Sequence, residues 1–211
     1  MTINMDRVAF VGDTLGALFR FEPTSVLSRP LLDTFSAVNA DELCHEWPFG
    51  QEEELRRGFP LMCQSGLTAQ GTLDEILWEY RRLFVGPGHV AVPLWGSVYT
   101  DRECVVFGKA TLELRHWMKA NGIKRSEEEK NPEDHFGTLL LLMSWIARNK
   151  PECLDEYLCQ HVLPWAGHML CLLESEAQLD FFKGLAIVTK ATLDGLQTQV
   201  TGEVKQVRFF K

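Results

Sequence analysis

Asp134 and His135 are the neighbouring residues in this 211-residue chain whose types suit acid–base chemistry. The carboxylate would orient the ring and the imidazole would carry the proton. On a helix, adjacent residues point about 100° apart, so the two side chains would not face each other as residues four apart do. The plainer reading has Asp134 satisfying free N–H groups in a first helical turn, with His135 packing or donating one hydrogen bond. The pair keeps one alternative open, a small nucleotide-binding or hydrolytic enzyme using Asp134 and His135. The motifs that would support it are missing from the sequence: there is no G-x-x-x-x-G-K-[ST] phosphate loop, no G-x-G-x-x-G, no G-x-S-x-G elbow and no H-E-x-x-H. The expectation is a protein that is not an enzyme and has no catalytic residue.

Trp95 is the second residue of interest, because it sits in Gly86-Pro-Gly-His-Val-Ala-Val-Pro-Leu-Trp-Gly-Ser97. A tryptophan there either plugs the core or anchors a partner, and its type suits both roles equally. Cys44, Cys63, Cys104, Cys153, Cys159 and Cys171 contain no C-x-x-C pair, which predicts reduced thiols. Cys159 with His161, and His168 with Cys171, are too sparse for a structural zinc site, so no metal is expected. With 29 acidic and 21 basic side chains the net charge is -8, which argues against nucleic acid and leans toward a cationic partner. The first ten residues have no basic flank before an apolar stretch. The longest apolar run, Leu139 to Met143, is far below the roughly 20 residues a bilayer needs. A cytoplasmic protein without membrane insertion is expected.

The elements that must position these residues read as helices almost throughout. Val8, Val11, Leu15, Leu18 and Phe19 lie on one face of a helix stopping near Pro23, and Leu27, Leu31, Phe35 and Val38 repeat the pattern. Leu43 with Trp47, and Leu55 with Phe59 and Met62, mark shorter helices broken at Pro48 and Pro60. Thr72 and Glu75 form a T-x-x-E capping box before Leu73, Ile76, Leu77, Tyr80, Leu83 and Phe84. The prolines and glycines from Gly86 to Ser97 predict an irregular loop. Helix returns from Lys109 to Ala120 and stops at Asn121-Gly122.

Ser126 to Lys130 reads as a solvated link that could serve as a domain-swapping hinge. Asn131 then offers an N-cap, Pro132 the first helical position, and Glu133 and Asp134 negative charge at the positive end of the dipole. Phe136 to Ala147 should be buried nearly all round as the central helix. Leu154 to Val162 gives a helix ended by Pro164. Two more follow, through Trp165, Met169 and Leu173 and through Phe182 to Leu196. Glu203 to Phe210 alternates enough to support a short strand. The expected architecture is all-α, a single-domain helical bundle of about ten helices covering residues 1–211.

Several motifs in order resemble the DmsD/TorD family of redox-enzyme maturation chaperones: Tyr80-Arg-Arg-Leu-Phe-Val-Gly-Pro87, Pro93-Leu-Trp-Gly-Ser-Val98, Asp101-Arg-Glu103, Phe107-Gly108 and Pro132-Glu-Asp-His-Phe136. Leu15 to Phe19 before Glu22-Pro23, Leu112 to Arg115, and Leu163-Pro-Trp165 are similar too, so the likeness spans most of the chain. The resemblance implies binding of the twin-arginine signal peptide of a molybdenum-cofactor oxidoreductase of the dimethyl sulfoxide reductase type. Such a chaperone assists cofactor insertion and delays export until the client has folded. It also implies contact with twin-arginine translocase components, no resident cofactor, and room for GTP, while direct handling of the molybdenum cofactor is a third function to weigh. The family's peptide-binding region maps onto Tyr80, Leu83, Phe84, Pro93, Trp95, Pro132, Glu133, Asp134 and His135. Near relatives typically carry Trp in place of Tyr80, Pro in place of Leu94 and an aromatic in place of Arg20, which points to a different client.

Overall fold

The computed structural model describes residues 3–88, 90–124 and 132–211. Among these residues every regular element is helical: α1 Met5–Arg20, α2 Arg29–Ala37, α3 Ala40–Glu46, α4 Glu52–Met62, α5 Gln70–Phe84, α6 Gly96–Thr100, α7 Lys109–Ala120, α8 Phe136–Asn149, the single turn α9 Leu154–Tyr157, α10 Leu163–Glu176 and α11 Asp180–Gln197. All of them feed one contiguous buried cluster. No helix of the described residues is long and apolar enough to cross a membrane. The six cysteines are free, and no group of three or more histidine, cysteine or acidic residues is arranged to hold a metal among the described residues.

Two helix crossings built on small residues organise the packing. Where α1 meets α8, a Cβ on Gly12 would lie 2.7 Å from the Leu140 carbonyl, one on Gly16 2.9 Å from Leu141, and one on Gly137 2.7 Å from the Arg20 nitrogen. Only hydrogen at these positions lets the backbones approach so closely. The α4–α11 crossing uses the same device, with Gly58 and Gly184 each backed against the other helix. Aromatic rings then fill the space around α1, α5 and α8: Phe19 stands edge-on to Phe136 at 4.9 Å between centroids, and Tyr80 edge-on to Phe84 at 5.1 Å.

Several local expectations are corrected. Helix α5 begins at Gln70 with Ala69 in the capping position and no side-chain cap, so Thr72 and Glu75 lie inside the helix and form no capping box. Pro60 sits within α4, which runs on to Met62; the hydrogen bond it removes falls in the last turn, where helical order is ending anyway. Pro164 ends nothing. It occupies the first turn of α10, directly after a π turn over Leu158–Val162, and a missing N–H is harmless at such a position. Helix α8 starts at Phe136, so Pro132, Glu133 and Asp134 precede it. From Phe136 to Ala147 it is buried nearly all round, Trp145 at 40% being the exposed residue of that stretch. Residues 203–211 form neither helix nor strand. The Asn131 cap and the Ser126 to Lys130 hinge fall outside the described residues.

A buried carboxylate paired with a part-exposed guanidinium ties α5 to the α10–α11 turn. Glu79, 5% exposed, accepts two hydrogen bonds from Arg82 at 2.7 and 2.9 Å and one from the Gln178 amide at 2.7 Å. Burial alone would raise its pKa, but Arg82 and the Gln178 amide outweigh that and hold it below the ordinary 4.5.

Gly12→Ala gains about 1 kcal/mol of helix propensity, yet the added methyl overlaps the backbone of α8. The variant is therefore expected to be destabilised overall, by about 1–3 kcal/mol, in urea unfolding monitored by circular dichroism. The lowered pKa of Glu79 means its stabilising contribution is present above pH 4.5 and is lost as the pH falls through its folded value. Glu79→Gln should lower stability at pH 7 and flatten the acid limb of the stability–pH curve; an unchanged limb would mean that the carboxylate is unlinked to folding.

Candidate functional site

The loop after α5 and the segment before α8 pair over a short stretch. The Gly96 amide donates to the Asp134 carbonyl at 3.2 Å and the Phe136 amide to the Leu94 carbonyl at 2.6 Å, forming an antiparallel bridge between Trp95 and His135. Their rings meet edge to face at 5.3 Å. Two residues forty positions apart are thereby fixed side by side on backbone hydrogen bonds.

They border a hollow of about 280 Å³ whose wall is completed by Arg20, Glu22, Tyr80, Phe84, Val85 and Leu94. Tyr80 is held by its hydroxyl, which donates to the Phe19 carbonyl at 3.0 Å, and burial keeps that phenol un-ionised. Glu22 receives two parallel bonds from Arg81 at 2.9 and 3.0 Å; that guanidinium holds its carboxyl below the ordinary range. Trp95 is half-buried, and its indole N–H is shielded from solvent without a hydrogen-bond acceptor among the described residues. A donor without an acceptor, in a residue that borders a hollow, suits a ligand that brings a carbonyl.

The nine residues expected at the site divide into two sets. Tyr80, Phe84, Trp95 and His135 line the hollow. Leu83 and Pro93 are buried and shape the loop through their carbonyls, which accept from the Val92 amide and the Tyr99 hydroxyl, each at 2.8 Å. Pro132 turns the chain, its carbonyl accepting from the His135 amide at 3.2 Å. Glu133, 4% exposed, faces α7, where Arg115 donates to both its oxygens at 2.7 and 2.8 Å.

Asp134 is 3% exposed. One of its oxygens accepts from the Ser97 amide at 2.8 Å and the Ser97 hydroxyl at 2.6 Å, and the other from the Thr111 hydroxyl at 2.7 Å. It does cap a helix, but that helix is α6 rather than its own. With both oxygens engaged on α6 and α7, it is not set to orient His135 as a catalytic dyad would require. Sequence reasoning missed Glu22 and Val85 as wall residues. Arg20, Tyr80 and Leu94, the three departures from the family pattern, all line the hollow.

Replacing Asp134 with Asn exchanges one acceptor oxygen for an NH2 group, a donor turned toward donors that need an acceptor. Asp134→Asn is expected to cost about 1.5–3 kcal/mol of stability, the range for a hydrogen bond to a charged group, in denaturant titration. Loss of stability by less than a few tenths would show that Ser97 and Thr111 do not depend on this carboxylate.

Residues 52–170 match the family model described as nitrate reductase delta subunit. A probable Tat proofreading chaperone DmsD of Haemophilus influenzae is 32% identical over the whole of both chains. The Tat proofreading chaperone DmsD of Salmonella typhimurium is 35% identical over 94% of this chain and 93% of its own. The chaperone protein YcdY of Escherichia coli is 26% identical over 91% of this chain and 95% of its own. A match over more than half the chain, together with full-length relatives above 30% identity, shows that the chain belongs to the nitrate reductase delta subunit family, the DmsD/TorD family that its ordered motifs resemble.

Proposed function

We propose that the chain is a chaperone for exported redox enzymes that binds the twin-arginine signal peptide of a molybdenum-cofactor oxidoreductase in the cytoplasm, holding back export until the cofactor is in place. The observation that carries this reading is the hollow itself, in which Trp95, Tyr80 and Phe84 stand beside His135 and the Glu22 carboxylate. A twin-arginine leader presents two guanidinium groups next to an apolar segment, and its receptor needs aromatic and aliphatic surface close to an acid.

The acid in question is Glu22 rather than Glu133 or Asp134, whose oxygens are engaged elsewhere. Glu22 is 38% exposed and already paired with Arg81, so exchanging one guanidinium for another there contributes at the exposed end of the scale, about 0–1 kcal/mol. Most of the affinity must then come from the aromatic wall and from carbonyls meeting the Trp95 indole. Client choice is assigned to Arg20, Tyr80 and Leu94, the departures that share the wall. The reading requires no resident cofactor and no nucleotide.

Calorimetric titration with leader peptides of molybdoenzymes from the same cell tests the proposal. Trp95→Ala is expected to weaken binding by about 2 kcal/mol or more, the range of an aromatic hot spot, while leaving the unfolding midpoint within a few degrees of the parent. Failure of every such leader to bind, or undiminished binding by the variant, would remove the hollow as the receptor.

A further inference from the structure

A second cleft lies on the other side of α6. It is a cavity of about 200 Å³ between α7 and the start of α10, walled by Asp101, Glu113, His161 and Trp165 and roofed by residues 205–208. The roof belongs to a segment without helix or strand, and the manner of its attachment is informative.

Two backbone hydrogen bonds join this segment to the body among the described residues: the Lys205 amide donates to the Cys159 carbonyl at 3.0 Å and the Phe210 amide to the Tyr99 carbonyl at 2.9 Å. Both acceptors lack a helical partner for a reason. In the π turn the Leu163 amide reaches back five residues to the Leu158 carbonyl; the same register would offer Cys159 the amide of residue 164, which is proline and has none. Tyr99 lies in the last turn of α6, where carbonyls have no intrahelical donor. The body beside the cleft thus offers two main-chain acceptors without helical donors, met here by the Lys205 and Phe210 amides, and main-chain bonds of this kind do not depend on a peptide's side chains.

Side chains supply the selectivity. Lys205 pairs with Glu113 at 2.6 Å. Phe209 stacks on His168 with centroids 4.2 Å apart and planes 10° from parallel, and the His168 ring also meets the Lys211 carbonyl at 2.7 Å. Residues 204–211 carry Lys205, Arg208 and Lys211 and no acid, whereas the body contributes Asp101, Glu113 and the already bonded Asp134 against Lys109. Yet Phe209 and Phe210 remain 38% and 40% exposed. A segment that belonged to the core would bury such rings; this one rests on the surface.

We infer that this cleft is an exchangeable peptide site, in which residues 204–211 stand in for a linear segment of a partner polypeptide that carries cations interleaved with aromatic residues. Main-chain bonds to Cys159 and Tyr99, a cation on Glu113 and an aromatic ring on His168 are the contacts such a segment takes over. This site is separate from the hollow at Trp95, and it stands or falls independently of the leader-binding reading.

The test uses a fluorescently labelled peptide of residues 204–211 added to the full chain and to a full-length variant carrying Phe209→Ala and Phe210→Ala, with binding followed by anisotropy. Loosening the resident segment is expected to tighten binding of the added peptide at least tenfold. Glu113→Gln in the same background, or a peptide with its three cations changed to glutamate, should abolish that gain. Equal binding by parent and variant, or binding indifferent to charge, overturns the inference. Hydrogen exchange on the unaltered chain gives a second measure that needs no variant. The Lys205 and Phe210 amides should exchange at least a hundredfold faster than core amides of α11, and exchange as slow as the core would also overturn it.

Discussion

A carboxylate that is almost wholly removed from water must have its charge met by donors, and the region around the candidate site is arranged to do this for Asp134. Its two oxygens take the Ser97 amide and hydroxyl and the Thr111 hydroxyl, so one side chain sets the start of α6, the face of α7 and the approach to α8 at once. Leaving such a group unpaired costs several kcal/mol, whereas the net gain from each satisfied bond is small. The network therefore acts less as a source of stability than as a constraint on which arrangements are allowed. Trp95 immediately precedes α6 and His135 immediately follows Asp134, so their juxtaposition comes from that constraint.

The second determinant is the glycine crossing of α1 and α8. Gly137 lies two residues beyond His135, and its bare α-carbon receives the backbone of Arg20. That contact brings the end of α1, with Arg20 and then Glu22, up against the Trp95–His135 bridge. The hollow is where two independent pieces of packing meet, which explains why its lining comes from four separate stretches of chain.

Much of the fold was legible in the sequence, because apolar residues recurring every three to four positions report one buried helical face regardless of what covers it. The stop of α7 at Asn121-Gly122 was readable for a local reason, a glycine able to take φ of +66°. Misreadings occurred where a distant partner outcompeted a local one. Glu133 and Asp134 have the composition of a first helical turn, but Arg115, Ser97 and Thr111 offer them better partners, and the Phe136 amide is taken by Leu94. Thr72 and Glu75 match a capping pattern that the chain bypasses by starting its helix three residues earlier. Pro60 and Pro164 read as breaks, although a proline near a helix end or in a first turn removes little. In the candidate site, the aromatic lining was visible as motif residues. Glu22 was not singled out, since nothing local announces that its bidentate partner Arg81 lies fifty-nine positions away.

Helix α6 is five residues long, about 7.5 Å at 1.5 Å per residue. Its leading end carries the indole that borders one hollow, and its trailing end carries the carbonyl that anchors the roof of the other cleft. The short peg is therefore a wall shared by both cavities, and the packing that sets its position sets one edge of each.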